Sequence, residues 1–269
     1  MNKKLSAAFL LMITILLCGC TEKAQPAETV QEETVQEETV QTTVAETTVA
    51  ETTEETMALH SDLYDPDYTV QQIQTYFEEI VLNIEYTDGI GNANLVQKWC
   101  APITYRLSGQ ATEEDLRVLE TFFAELNQIP GFPGIAAAME GETEQIRISF
   151  LEPDLFRDSF SSVVGGEDAT GATQFWYYTD TNEIYSARIG YRTDMDQSLR
   201  NSVLLEEVVN TLGISDTVLR EDSITYQYSD FNTCLSDVDW ILLKLLYHPE
   251  LKNGMDSEAC ASVIQQLYY

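Results

Sequence analysis

The sequence predicts an α+β domain, because strand-like and helix-like patterns follow each other in a fixed order. Short β-rich segments lie between residues 99 and 191, an amphipathic helix follows at 196–212, and two more helical segments end the chain. Strands that precede one central helix and then further helices are typical of the α+β class. We therefore expect a mixed sheet, a central helix and a mostly helical C-terminal part.

Three elements are predicted in the first part of the domain. Apolar residues at a period of about 3.6 predict a helix over residues 69–85. Alternating β-rich residues predict a strand over 99–107. Pro102 places this strand at a sheet edge, because proline lacks the N–H group that an inner strand uses. A variant capping box that begins at Thr112 predicts a helix over 112–128.

Four more strands are predicted by alternation and composition. Residues 135–139 and 145–150 are short apolar segments. Residues 173–178 and 183–191 are aromatic or β-branched arms joined by polar residues, which predicts a hairpin. The aromatic run at 175–178 fits a cleft for peptide or glycan, although alternating aromatic residues on a strand more often face a core.

The remainder of the domain is predicted to be helical. The central helix over 196–212 is ended by Gly213, which suits the residue after a helix C-terminus. A helix over 236–247 is stopped by Pro249, and a last helix covers 256–267. Three helices therefore follow the strands.

The N-terminus has the composition of a bacterial export signal. Two lysines precede an apolar run over residues 7–17, which is shorter than the roughly 20 residues of a membrane-spanning helix. The following Leu-Cys-Gly-Cys resembles a lipobox, which implies cleavage after residue 19 and lipid attachment to Cys20. An ordinary signal peptide with an incidental cysteine is the alternative. We expect an extracytoplasmic chain anchored by lipid to the bacterial cell membrane.

A low-complexity segment separates Cys20 from the domain. Residues 21–57 repeat Glu-Thr-Val-Gln-Glu and Thr-Thr-Val-Ala-Glu, with ten glutamates, one lysine and no aromatic residue. Such a segment buries too little apolar surface to fold, and its like charges repel. We therefore expect a signal peptide at 1–19, a lipidated cysteine and disordered tether at 20–57, and a globular domain at 58–269.

The charge of the predicted domain limits its partners. Residues 58–269 carry 35 acidic and 11 basic side chains, a formal charge of −24. Such a surface repels nucleic acid and anionic lipid, and it favours cationic partners, metal ions or simple solubility. We expect a monomer. The three remaining cysteines, an odd number at wide spacing, fit one disulfide or three buried thiols equally: Cys100, Cys234 and Cys260.

The central helix carries polar residues in the frame H-E-x-x-H-x-L-G-x-x-H/D, with both helical histidines replaced. Glu206 and Asn210 stand in the two histidine positions, and Glu207 keeps the glutamate between them. At 100° per residue, Glu206 and Asn210 share one face of the helix. Helix geometry alone favours the simpler interpretation, a polar face that points to water.

The residues around the helix favour a different interpretation. Ser223, Ile224, Thr225 and Tyr226 look like the Ser-Ile-Met-Tyr segment of a Met-turn, with Thr225 in the methionine position. Together with the helix, this segment resembles the metzincin side of the zincin proteases. The resemblance implies a zincin-like fold, with Glu207 in the general-base position. It also implies three metal-ligand positions, which are Glu206, Asn210 and Asp216.

The sequence is more closely similar to a family of exported zincin-like domains, the domain of unknown function 2927. The resemblance is carried by the Trp-x-x-Pro-Ile-x-Tyr segment at 99–105, the motif helix at 206–213 and Ser-Ile at 223–224. A helix headed by aspartate at 239–249 and Gly-Met at 254–255 complete the pattern. The matching segments occur in a consistent order from residue 99 to residue 255.

The residues in the ligand positions argue against zinc. Glu206, Asn210 and Asp216 offer only oxygen ligands, which suit Ca²⁺ or Mg²⁺, whereas zinc prefers imidazole and thiolate. The two histidines of the domain, His60 and His248, lie away from the motif helix. The sequence therefore predicts no cofactor and no zinc, with Ca²⁺ or Mg²⁺ as the alternative that the oxygen ligands allow.

Three functional interpretations follow from these residues. The favoured one is a membrane-anchored lipoprotein with a catalytically degenerate, zinc-metalloprotease-like domain that binds a peptide or a component of the cell envelope. The second is an active hydrolase with Glu207 as general base and a non-zinc or externally completed metal site. The third is an unrelated acidic surface module in which the helix match is accidental.

Overall fold

The computed structural model describes residues 63–82, 94–163, 169–228 and 231–268. The signal peptide, the lipidated Cys20 and the tether predicted for residues 1–57 lie outside these residues. Within the described ranges, no helix combines the length and apolar character needed to cross a membrane.

The described residues form an α+β structure, which confirms the predicted class. The helices are α1 (Val70–Phe77), α2 (Glu113–Leu126), α3 (Pro153–Phe160), α4 (Gln197–Asn210), α5 (Asp237–Tyr247) and α6 (Ser257–Leu267). The strands are β1 (Ile103–Gly109), β2 (Ile135–Ala137), β3 (Ile146–Leu151), β4 (Gly171–Tyr177) and β5 (Ile184–Arg192). A π-helical segment, Glu78–Leu82, continues α1.

The strands form one mixed sheet of five in the order β2-β1-β3-β5-β4. Strand β1 runs parallel to β2 and β3, and β3 runs parallel to β5. Strand β4 pairs antiparallel with β5, which confirms the predicted hairpin, and it lies at one edge of the sheet. The prediction that the strand after Trp99 is an edge strand is wrong, because β1 lies between two neighbours. Pro102 precedes β1, so its missing N–H removes no ladder hydrogen bond.

The two faces of the sheet are covered by different helices. The inner face carries Ile146 and Ile148 of β3, which share a core cluster with Val203 and Leu204 of α4. The outer face is partly covered by α3, whose Phe160 packs with Ala172 of β4 in a second cluster. Helix α3 was not predicted, because it is short and its start is marked only by a proline at its first turn.

The helix boundaries follow the capping residues of the sequence. Capping boxes open α2 at Thr112 and α5 at Ser236, and Asp196 and Asp256 cap α4 and α6. Gly213 follows α4 with a φ of +94°, in the left-handed region that favours glycine. The predicted helix starts and the predicted end of α4 therefore agree with the structure.

Candidate functional site

Helix α4 lies directly against the edge strand β4. The hydroxyl of Thr173 donates a hydrogen bond to the carbonyl oxygen of Glu207 at 2.8 Å. At Gly171, a Cβ atom would overlap the carboxylate of Glu207 and the side chain of Val203. The absence of a side chain at Gly171 therefore lets the helix approach the strand and leaves room for the Glu207 carboxylate.

The polar residues of the motif are not a solvated face. Glu207 is 8% exposed and Asn210 is 3% exposed, whereas Glu206 and Asp216 are half-buried. The simpler interpretation, in which the glutamates and the amide point to water, is therefore wrong for Glu207 and Asn210. Their burial depends on strand β4, which the spacing within α4 does not reveal.

Two of the predicted ligand positions are bonded to each other. The Nδ2 atom of Asn210 donates a hydrogen bond to Oδ1 of Asp216 at 3.2 Å. The chain reverses between them at Gly213, which brings the two side chains together. The Oδ1 atom of Asn210 is buried and has no hydrogen-bond partner among the described residues. A buried acceptor without a partner costs about 1–3 kcal/mol.

The C-terminal end of α4 is held by side chains from distant segments. The indole nitrogen of Trp99 donates to the carbonyl of Thr211 at 2.8 Å, and the Tyr247 hydroxyl donates to the carbonyl of Leu212 at 3.0 Å. Gly213 packs against the backbone of Gln97, where a Cβ atom would overlap the carbonyl oxygen. These contacts satisfy carbonyl groups that the end of a helix leaves unpaired.

The Met-turn-like segment is buried and fixed by one carboxylate. Ser223, Ile224 and Thr225 are each at most 2% exposed. Asp239 accepts hydrogen bonds from the Ser223 hydroxyl at 2.7 Å and from the backbone N–H of Ile224 at 3.0 Å. Because Asp239 also belongs to the capping box of α5, one side chain starts that helix and holds the segment.

A buried arginine completes this cluster. Arg220 is 4% exposed and donates to Asp239 at 2.8 Å and to the hydroxyl of Ser236 at 2.5 Å. Its guanidinium also lies over the ring of Tyr76, 5.6 Å from the centroid. The Arg220–Asp239 pair therefore joins α1, α5 and the chain that follows α4.

A buried lysine holds the end of α5 in the same region. The ammonium of Lys98 donates to the carbonyls of Leu246, at 2.7 Å, and of Leu251. Burial lowers the pKa of Lys98 to about 8. A cation suits the carbonyl end of a helix, and sequence reasoning missed this contact because the two partners are about 150 residues apart.

A second buried ion pair fixes the other end of α4. Arg200 and Asp115 pair directly, and Arg200 also donates to the carbonyl of Thr193 at 2.8 Å. Although burial opposes it, hydrogen bonds from Arg200 and the Thr112 backbone hold the pKa of Asp115 below its usual value. This pair ties α2 to α4.

The other side chains that could bind a metal, which are histidine and cysteine side chains, do not form a cluster in the described residues. Among the described residues, no group of three or more His, Cys, Asp or Glu side chains could hold a metal ion. His248 is half-buried at the C-terminal cap of α5. Cys100 and Cys234 are exposed and Cys260 is buried, all without a disulfide, so neither predicted alternative describes the three thiols.

Comparison with known families identifies a family for this chain. Residues 70–266 match the family described as Protein of unknown function (DUF2927). The chain belongs to this family. No curated protein matches the chain.

The family pattern now has a structural explanation in this DUF2927 domain. The segments that carry the resemblance contain Trp99, Ser223, Asp239 and Tyr247. Trp99 and Tyr247 bond the end of α4, and Asp239 bonds Ser223 in the turn that follows it. The segments that carry the resemblance thus hold the end of α4 and the turn that follows it.

Proposed function

We propose that this DUF2927 protein is a lipid-anchored extracytoplasmic protein whose domain has a zincin-like architecture without zinc chemistry. The surface formed by α4 and β4, called the α4–β4 surface below, binds a peptide or a component of the cell envelope. The zincin-like relationship, the lipid anchor and the binding role are all parts of this proposal.

The packing of β4 against α4 supports the zincin-like architecture. If the resemblance of α4 to a protease helix were accidental, no strand need run along it. In this structure β4 lies beside α4, with Gly171 at the Glu207 carboxylate and Thr173 bonded to the Glu207 carbonyl. The residue in the general-base position therefore lies next to an edge strand.

The observation that carries the loss of zinc chemistry is that Glu206 and Asn210 stand where the motif has its two imidazoles, the ligands that zinc prefers. Asn210 and Asp216 are instead bonded to each other at 3.2 Å through the amide nitrogen, which is a donor and not a metal ligand. We infer that these side chains now stabilise the turn at Gly213.

The edge of the sheet supports a peptide ligand. In the described part of the chain, β4 pairs only with β5. Alternate residues of an antiparallel edge strand point their N–H and C=O groups away from the sheet. An extended peptide can add to such an edge as a further strand, with backbone hydrogen bonds that supply affinity.

The binding experiment uses residues 20–269 with Cys20→Ser, called the lipid-free chain below. Extended peptides and soluble cell-wall fragments are titrated by calorimetry, and each peptide that binds is compared with a version N-methylated at alternate residues. We expect methylation to weaken binding at least roughly tenfold, because it removes the donors that pair with β4. Equal affinity for both versions would contradict docking on the edge strand.

The anchor and the chemistry need separate tests. Metabolic labelling with a radioactive fatty acid should label the native chain and not the Cys20→Ala variant. Peptide cleavage that is lost in Glu207→Gln, while the fold is retained, would favour an active hydrolase instead of a binding domain.

A further inference from the structure

The outer face of the sheet carries a row of arginines. Arg106 of β1, Arg147 of β3 and Arg188 of β5 lie directly opposite each other in the strand register, and Gln174 of β4 continues the row. Like charges opposite each other on neighbouring strands are destabilising. In a domain with 35 acidic and 11 basic side chains, such a row indicates a local role.

Two of the three arginines pair with the same carboxylate. Glu144 accepts from Arg106 at 3.1 Å and from Arg147 at 2.8 Å. Its own backbone N–H and these two arginines lower the pKa of Glu144 to about 2. Glu144 is therefore ionised at neutral pH and occupied by its two partners.

Arg188 is held in place without an acidic partner. No acidic side chain among the described residues forms an ion pair with it; instead its Nε atom donates to Oε1 of Gln174 at 2.9 Å. Its guanidinium lies 4.6 Å from the ring centroid of Phe160 and 6.0 Å from that of Trp176. The rings and the amide fix the plane of the guanidinium, and its terminal nitrogens make no hydrogen bond to the described residues.

A groove of about 470 Å³ opens beside this arginine. Its nine lining residues include two glutamates, Glu142 and Glu144, and two arginines, Arg147 and Arg188; the two apolar ones are Ala187 and Trp176. The indole of Trp176 is 37% exposed. Tyr178 and Tyr185, both exposed, stack on each other with centroids 4.4 Å apart at the adjacent end of the hairpin.

These lining groups favour a sugar over a peptide. The described lining residues lie on the face of the sheet and in the segment before β3, and they form no apolar pocket for a side-chain anchor. An exposed aromatic ring can pack against the C–H face of a pyranose, and planar polar groups around it can bond hydroxyls. Arg188 adds a fork of two N–H groups that matches a carboxylate.

We propose that this outer groove binds a carboxylate-bearing sugar. The sugar ring packs on Trp176, and its carboxylate accepts hydrogen bonds from both terminal nitrogens of Arg188. The proposal is independent of the α4–β4 surface, because Arg188 points from the outer face of the sheet and α4 packs on the inner face. Failure of one proposal therefore leaves the other intact.

The test compares ligands with and without carboxylates. The lipid-free chain is titrated by calorimetry with an N-acetylglucosamine–N-acetylmuramic acid tetrasaccharide and with chitotetraose of the same length, which lacks the lactyl carboxylates. Tetragalacturonate supplies sugar carboxylates from a second source, and hexaglutamate supplies carboxylates on a peptide. We expect at least one acidic sugar to bind. We expect the affinity for chitotetraose and for hexaglutamate to be at least roughly tenfold weaker than that for the acidic sugar.

Variants locate the binding on the outer groove. Arg188→Gln and Trp176→Ala should each weaken binding of the acidic sugar by at least roughly tenfold. The matched controls Arg157→Gln, on the exposed side of α3, and Tyr228→Ala, an exposed ring elsewhere, should leave affinity unchanged. Circular dichroism establishes that each variant is folded.

Four results would overturn the proposal. The first is that neither acidic sugar binds, and the second is that chitotetraose binds as tightly as its acidic counterpart. The third is that hexaglutamate binds as tightly as the sugars, and the fourth is that folded Arg188→Gln keeps the affinity of the parent chain.

Discussion

The end of α4 and the amide of Asn210 on the same helix differ in how completely their polar atoms are bonded. The end of the helix is bonded by Trp99 and Tyr247, and the turn that follows is bonded by Asp239. Along the helix, Asn210 donates a hydrogen bond to Asp216 at 3.2 Å, and the second polar atom of that amide has no partner among the described residues.

This difference separates what the scaffold requires from what a metal would require. Helix-end contacts stabilise the fold whatever the helix carries, so we expect them to be kept when the chemistry changes. The metal-ligand positions of the motif are not required for the fold in a chain that no longer binds the metal.

The largest effect is expected at the Asp239 carboxylate. Replacing Asp239 with alanine removes the buried one of the two carboxylates that pair with Arg220 and leaves the buried Ile224 N–H without its acceptor, which should reduce the free energy of unfolding by about 3–5 kcal/mol. The control Asp237→Ala removes an exposed aspartate from the same helix turn and should cost about 1 kcal/mol or less. Urea unfolding measures both, and equal losses would contradict the role of Asp239.

A smaller loss is expected at the turn after α4. Gly213→Ala introduces a left-handed alanine and a Cβ atom that overlaps the Gln97 carbonyl, so we expect a loss of about 2–4 kcal/mol. Gly141 also has a positive φ but open space around it, so Gly141→Ala isolates the backbone cost, about 1 kcal/mol. If both variants lose the same stability, the close approach of Gln97 is unimportant.

The buried lysine predicts a pH dependence of stability. Folding lowers the pKa of Lys98 from 10.5 to about 8, so the unfolded chain binds more protons between these values. Stability from this group therefore rises with pH across that window, by at most about 3 kcal/mol. The free energy of unfolding of the native chain minus that of Lys98→Met gives the contribution of Lys98. A difference that stays flat or falls from pH 8 to 10.5 would contradict this prediction.

The smallest effect concerns the contact between the helix surface and β4. Gly171→Ala should cost about 1–3 kcal/mol by displacing the Glu207 carboxylate. In a double-mutant cycle with Glu207→Ala, we expect a coupling of about 1 kcal/mol, because the shorter side chain relieves part of the overlap. Additive losses would show that Gly171 and Glu207 do not compete for the same space.

Local patterns predicted the elements better than their arrangement. Capping residues such as Thr112 and Ser236 fix helix starts from neighbouring backbone groups, so they can be read from a few residues. The prediction for β1 was wrong because of Pro102. A shift of one residue in the start of the strand decides whether a proline precedes the strand or interrupts it. Helix α3 is too short to show a clear period.

The environment of the candidate site depends on contacts between distant residues. The motif on α4 could be recognised from its spacing, but the burial of Glu207 depends on Gly171, which lies 36 positions earlier. Likewise, Lys98 looks like a surface lysine until its acceptors beyond residue 245 are known. Spacing within one helix cannot reveal either contact.

The most direct test of the central claim is zinc binding by a repaired motif. Glu206→His with Asn210→His places two imidazoles at the ligand positions and keeps Asp216 as third ligand; adding Asp216→Ala to this variant gives the control. After dialysis against zinc, metal analysis should find none in the lipid-free chain, about one zinc per chain in the repaired variant, and less in the control. Zinc at 100 times its dissociation constant should also stabilise the repaired variant by about 2.7 kcal/mol. Stoichiometric zinc in the unrepaired chain, or none in the folded repaired variant, would contradict a zincin-like scaffold that has lost its metal.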